Sequence, residues 1–399
     1  MDVMTYPTSP ELALTIACCR WPRSPERDAA VRDAAASVTD WSLFDRLLRR
    51  HRVTLLARDA LTCAGVLPSS AVAERLAARA AECAVTALVM TRESIRLQRA
   101  FGAAGLPAFI VKGVTVGILA YGDPCLKESW DIDLLTSVEA LPQAHSLLES
   151  LGYDLYHPDR MTSEQFRRFV PFTIEAGYLH RENGLTVELH WRMMRNRRLL
   201  SDFSVHSPSQ VVPAAGAELL TFDNELLFTY LCAHGSEHAW SRLKWLADLG
   251  AFIGSRGPGH LERFYESALQ AGAGRMAGSS LLLCRRLLGT SVSPSVLPEL
   301  ENDRVVRYLE TTALHYINRL HEPEGPTVLP FSRKFVSHFF LAGGAGYLLE
   351  RVRNIWHHPL ERARYGHLAP LVRIPLWLKR LAGRLYGHLV SRSAAAMSD

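Results

Sequence analysis

Residues 107–135 read PAFIVKGVTVGILAYGDPCLKESWDIDLL. Pro107 to Lys112 is a short apolar run that ends at Gly113, where a turn lets another group approach the backbone closely. The spacing predicts a helix over Val114–Tyr121, closed by Gly122 and Pro124. A loop carrying Lys127 and Ser129 then leads to Asp131-Ile-Asp-Leu-Leu135. A strand points alternate residues to one side, so Asp131 and Asp133 share a face while Ile132 and Leu134 enter the core. Two carboxylates that close repel unless a cation neutralises them, which favours a hard divalent ion. The order is strand, glycine turn, helix, loop, Asp-x-Asp strand, and an amphipathic helix is predicted to follow over Ala140–Leu151.

A third carboxylate belongs further on, because two-metal chemistry draws ligands from more than one strand. Ile174–His180 and Leu185–Trp191 read as the arms of a hairpin around Arg181-Glu-Asn-Gly184, whose Asn-Gly is a strong turn signal. In the second arm Val187 and Leu189 alternate with Glu188 and His190, so the polar pair faces away from the apolar side. If this arm pairs with the Asp131 strand, Glu188 completes a triad with Asp131 and Asp133.

These residues resemble the nucleotidyltransferase family of the polymerase-β-like superfamily found in bacterial natural-product and polysaccharide gene clusters, including those of lasso peptides. The matching residues are Leu106-Pro-x-Phe-Ile-Val-Lys-Gly113, Tyr121-Gly-Asp-Pro124, Lys127 ahead of Asp131-Ile-Asp-Leu-Leu135, and Val187-Glu-Leu-His-Trp191. Outside that core, Trp41, Arg49-Arg-His-Arg-Val53, Leu231-Cys-Ala-His-Gly235 and Trp240-Ser-Arg-Leu-Lys-Trp-Leu-Ala-Asp248 extend the likeness over most of the chain. There are departures. Lys112-Gly113 stands where the wider superfamily has Gly-Ser or Gly-Gly, Lys127 where Arg is usual, and Glu188 where Asp is common. Lys keeps the charge of Arg but loses its bidentate fork.

The resemblance implies an α+β, mostly helical fold: a small mixed-sheet core at 101–205 between an N-terminal helical region, 1–100, and a C-terminal helical domain, 206–399. It implies a nucleoside triphosphate, ATP first among candidates, with Mg²⁺ or Mn²⁺. An NMP passes to a hydroxyl or phosphate of an acceptor, for which a peptide or a sugar is a candidate, and pyrophosphate leaves. Asp131, Asp133 and Glu188 are then the catalytic and metal-holding residues. Lys112, Gly113, Lys127 and Ser129 are expected at the phosphates, with His190, His234, Lys244 and Asp248 completing the nucleotide site; Glu188 or His190 is the candidate base.

Two other readings compete. A non-catalytic scaffold could keep the nucleotide pocket and use its flanking helices to recruit a biosynthetic partner. His234-Gly-Ser-Glu-His238 also fits His-x-x-Glu-His, in which His234 and His238 would bind zinc and Glu237 act as base. No pattern downstream supplies the third ligand that motif needs, and Gly235 and Ser236 suit a rigid ligand helix poorly. At helical spacing, Leu226, Leu227, Tyr230, Leu231 and His234 instead form one stripe of a helix of the second domain facing the nucleotide cleft.

Composition frames these readings. The 399 residues suffice for two or three domains, and 48% hydrophobic residues suffice for packed cores. A net charge of +5 is too mild to point to nucleic acid, which is not an expected partner. Seven cysteines, with neither metal spacing nor a disulfide framework, suit a reducing cytoplasm. No signal-type or membrane-spanning apolar run is present. From Arg362 to Ser398 there is no acidic residue, while seven Arg and Lys interleave with Leu, Trp377 and Tyr386. That segment is a candidate for membrane-surface contact or for packing on the second domain.

Overall fold

The computed structural model describes residues 8–319 except 160, residues 332–356, and residues 359, 360 and 363. The Arg362–Ser398 segment, but for Ala363, and the His321–Pro326 linker lie outside the described residues. Five helices come first: α1 (Pro10–Cys18), α2 (Pro25–Ala36), α3 (Trp41–His51), α4 (Thr54–Ala64) and the long α5 (Ser70–Ala103). Asp40 caps α3, its side chain accepting from the Leu43 amide at 2.8 Å. Residues 65–69 separate α4 from α5.

The core follows as β1 (Phe109–Ile110), α6 (Val114–Tyr121), β2 (Asp131–Leu135), α7 (Leu141–Ser150), β3 (Tyr153–His157), α8 (Ser163–Phe169), β4 (Glu175–His180) and β5 (Thr186–His190). The five strands form one mixed sheet in the order β1-β2-β5-β4-β3. β2 and β5 run parallel, and every other pairing is antiparallel. The fold is therefore the helix-rich α+β architecture with a small mixed sheet that the resemblance implies. One sheet face carries Ile132, Leu134, Ala176, Tyr178, Val187 and Leu189 into a core shared with α5 and α7.

A second hairpin, β6 (Ser209–Ala214) and β7 (Ala217–Phe222), leads to α9 (Asn224–Glu237) and α10 (Leu243–Gly254). Then come α11 (Leu261–Gln270), α12 (Gly274–Leu283), α13 (Leu297–Asn302), α14 (Arg304–Ile317), α15 (Arg333–Ser337) and α16 (Ala345–Trp356). The larger hydrophobic core joins α1, α3 and α4 to α9, α10, α12 and α14. Helices from both ends of the sequence thus back one wall, which stands over the polar face of the sheet. Among the described residues no helix is long and apolar enough to cross a membrane.

Candidate active site

Register decides which side chains meet. Asp133 of β2 pairs with Glu188 of β5, and Leu135 pairs with His190. On the other side of β5, Glu175 of β4 pairs with His190 and Gly177 with Glu188. With a period of two, these pairings put Asp131, Asp133, Glu188, His190 and Glu175 on the face opposite the core. His190 sits at the centre: Nε2 lies 3.1 Å from Asp133 Oδ1 and 3.7 Å from Glu188 Oε2, and Nδ1 lies 3.2 Å from Glu175 Oε2. The Glu175 contact has ion-pair distance without hydrogen-bond alignment. Lys112, just past β1, sets its ammonium 2.8 Å from Asp133 Oδ1.

These contacts fix the charges. Burial opposes ionisation of Asp133, yet the Lys112 ammonium, and after it His190, hold its carboxyl well below the usual carboxylate range. Burial likewise disfavours the imidazolium of His190, but Glu175, with Asp133 and Glu188, pushes its pKa up to about 10. The pKa of Glu188 also rises, opposite to that of Asp133: burial, reinforced by Asp133, Glu175 and Asp131, raises it despite its bond to His190. An imidazole with carboxylates at both nitrogens is a cation. This geometry argues against His190 as a base.

The loop before β2 is pinned residue by residue. Lys127 forms a buried ion pair with Asp248 of α10, which also accepts from the Tyr121 hydroxyl at 3.0 Å. The Glu128 carboxylate accepts from the Thr54 amide and so caps α4, whose own N-cap, Val53, has no polar side chain to offer. Trp130, 61% exposed, stacks beneath the Arg52 guanidinium at 4.0 Å. Lys127 and Asp248, both expected at the nucleotide, are brought together with each other. Gly113, at φ +68°, forms the turn into α6, and a side chain there would contact Ser129 and the Asp131 carbonyl.

The facing wall comes from α9 and α10. Lys112 lies 5.8 Å from the Tyr230 ring, Tyr230 is 5.8 Å from His234, His234 is 4.7 Å from His238, and His238 stacks on Trp245 at 4.6 Å. Burial, with Lys112 and His238 adding, pushes the pKa of His234 well down, so this histidine is neutral. Lys244 is half-buried, and its pKa falls to about 7 through burial first and then the nearby Lys127 and Arg52. His234 feels the charges of Lys112 and His190, and Lys244 that of Asp131, so both lie on the part of the wall nearest the acidic face.

Glu175 was invisible to sequence reasoning, because only register shows that it shares His190 with Asp133. Asp131 stands two residues before Asp133 on the same face, partly exposed at the start of β2. The carboxylates suit a hard divalent ion: Asp133 and Glu188 offer oxygens within 4.8 Å of each other, while His190, whose ring nitrogen completes that group, is held as a cation and would not itself ligate. Among the described residues that is the single such group of three. Among the described residues no third ligand joins His234 and His238, which speaks against the zinc-peptidase reading, and Gly235 has a packing role: a Cβ there would lie 2.3 Å from the Trp240 ring.

A glycine turn facing carboxylates on adjacent parallel strands, under a helical wall that carries Lys244, fits a transferase of phosphorus-containing groups. Residues 37–289, more than half of the chain, match the family described as uncharacterised nucleotidyltransferase, and the chain belongs to that family. No curated protein and no solved structure matches it. Its general activity is transfer of a nucleoside monophosphate from an NTP.

Proposed function

We propose that the protein transfers the NMP of a nucleoside triphosphate, ATP first among candidates, to a hydroxyl or phosphate of a natural-product acceptor such as a peptide or sugar, releasing pyrophosphate. The observation that carries this reading is the pairing of Asp133 with Glu188 across parallel strands, opposite the Gly113 turn. Asp131, Asp133 and Glu188 would hold Mg²⁺ or Mn²⁺, which when bound supplies charge neutralisation of the triphosphate and activation of the acceptor oxygen. Lys112, Ser129 and Lys244, with the amides at the start of α6, would meet the phosphates. His234 lines the nucleotide cleft, and Lys127 with Asp248 fixes the loop that carries Ser129. His190 acts as a fixed internal cation that keeps Asp133 ionised. Glu188, whose pKa is raised, is the group suited to take the acceptor proton.

Calorimetric titration of ATP with and without Mg²⁺, and pyrophosphate release with a panel of hydroxyl and phosphate acceptors, test this reading. Metal-dependent binding lost in Asp133→Asn and Glu188→Gln supports it. Binding indifferent to metal and to both substitutions would overturn it.

A further inference from the structure

The turn that joins α9 to α10 has an unfavourable backbone conformation. Ala239 and Trp240 sit at φ +49° and +50°, in the left-handed region that residues other than glycine seldom adopt. Two such residues in a row persist only where their surroundings over-determine them. Local bonds supply part of that: the Ala239 amide donates to the Ser236 carbonyl and the Trp240 amide to the Gly235 carbonyl, each at 2.9 Å.

Beside the turn, a small cavity lies between α9, α12, α14 and α15, and Ser236, Trp240, Ser279, Thr312 and Ser337 are among its lining residues. Ser279 and Ser337 donate their hydroxyl protons to the Met276 and Lys334 carbonyls at 3.0 and 2.8 Å. Ser236 Oγ, Trp240 Nε1 and Thr312 Oγ1 are different. All three are buried, and none has a hydrogen-bond partner among the described residues. Helical hydroxyls commonly donate to the carbonyl one turn earlier, as Thr229 of α9 does to Glu225 at 2.9 Å. Ser236 and Thr312 make no such bond. Three buried polar atoms from α9, the turn and α14 thus line one cavity.

Size and chemistry name the ligand. The centre of a water-sized sphere has about 10 Å³ to occupy, which is room for one water and nothing larger. An indole N–H can only donate, and no carboxylate lines the cavity, so a cation has no place there. We propose that Ser236, Trp240 and Thr312 hold one internal water. Its oxygen accepts from Trp240 Nε1–H, and its two protons go to the hydroxyl oxygens of Ser236 and Thr312. Three bonds are the usual complement of a buried water. The water ties α14 to the left-handed turn, and α10, which carries Lys244 and Asp248 of the cleft wall, starts just after that turn. The site does not depend on the nucleotidyl-transfer reading.

A high-resolution crystal structure is expected to show one density peak within hydrogen-bond distance of all three atoms. The peak should vanish in Thr312→Val, which keeps the shape of the side chain, and stay in Thr312→Ser, which keeps the hydroxyl. Stability gives an independent sign. Removing a buried hydroxyl that binds nothing raises the melting temperature, whereas removing one that holds a water leaves the other partners short of a bond and lowers it. Valine and threonine have similar helix propensities, so the helix does not set this sign. Thr312→Val is expected to melt about 2–4 °C below wild type. Hydrogen exchange at the Ala239 and Trp240 amides should quicken in it, while exchange in the β4–β5 hairpin, which belongs to the other core, stays the same. A wild-type structure without the peak, or a Thr312→Val protein that melts at or above the wild-type temperature, overturns the water site. Unchanged exchange at the two turn amides overturns its role in holding the turn.

Discussion

Lys112 stands where a divalent cation would neutralise Asp133, and this makes its role testable apart from phosphate binding. Breaking a buried pair from one side leaves the other charge uncompensated, at a cost of about 3–5 kcal/mol. Lys112→Met should therefore destabilise the metal-free protein by an amount near the lower end of that range, because His190 still contacts Asp133. Added Mn²⁺ should restore more stability to Lys112→Met than to wild type in thermal melts; equal Mn²⁺ shifts would show that Lys112 does not occupy a cation's place. Lys244 gives a pH signature. Its folded pKa, about 7, lies below that of an exposed lysine, so the unfolded chain binds the extra proton and stability rises with pH between about 7 and 10. Lys244→Met should stabilise the nucleotide-free protein by about 1–3 kcal/mol at pH 6, less than the full shift because water still screens the ammonium. That gain should vanish by about pH 10, and a gain independent of pH in denaturant unfolding would contradict the assignment. Much of this site was legible beforehand, since Asp133, Glu188, Lys112 and Gly113 each announce themselves by alternation or turn chemistry. Glu175 did not, because its role depends on a register that no local pattern encodes.

Elements were legible where period and punctuation agreed. Val114–Tyr121 is bounded by a glycine on each side, and the Asn183-Gly184 turn fixes the β4–β5 hairpin. β3 and the β6–β7 ribbon were missed for physical reasons. In β3 the register shifts between Leu155 and His157, which breaks the alternation, and β6 contains Pro213, which normally argues against a strand. The bulge swings Tyr156 across Gly177, beside Glu188: a Cβ at 177 would stand 2.7 Å from the Tyr156 ring. On α9 the same logic gives a larger effect. Trp240, 2% exposed, packs its ring over Gly235, and a methyl group there would collide with three ring carbons. Gly235→Ala should cost about 1–3 kcal/mol in denaturant unfolding, since a buried indole has no room to retreat. A loss under about 0.5 kcal/mol, the usual range for unconstrained surface sites, would mean that the turn after α9 can re-form around the added methyl.

The molecule as a whole is held by its larger core, which sequence order conceals. The family match begins at residue 37, yet α1 and α2 precede it and contribute Leu12, Leu14, Ile16, Cys18 and Val31, all buried, to the core that backs the helical wall. α1 packs on α3 and α4, and α4 is capped by Glu128 of the loop leading to β2. Mechanical support for the carboxylates therefore runs from the first helices to the site. A chain starting at residue 37 would expose the apolar faces of α3 and α4, where Phe44, Leu47, Leu48 and Leu56 are buried. Each large aliphatic or aromatic side chain returned to water forfeits about 1.5–3 kcal/mol, so exposing these four costs about 6–12 kcal/mol, comparable with the usual net stability of a domain, about 5–15 kcal/mol. The truncated chain should thus lose its cooperative thermal transition and its metal-dependent ATP binding together, although every residue of the acidic face is retained. A truncated chain that melts at the wild-type temperature would show that the family core stands alone and that α1 and α2 are an independent addition.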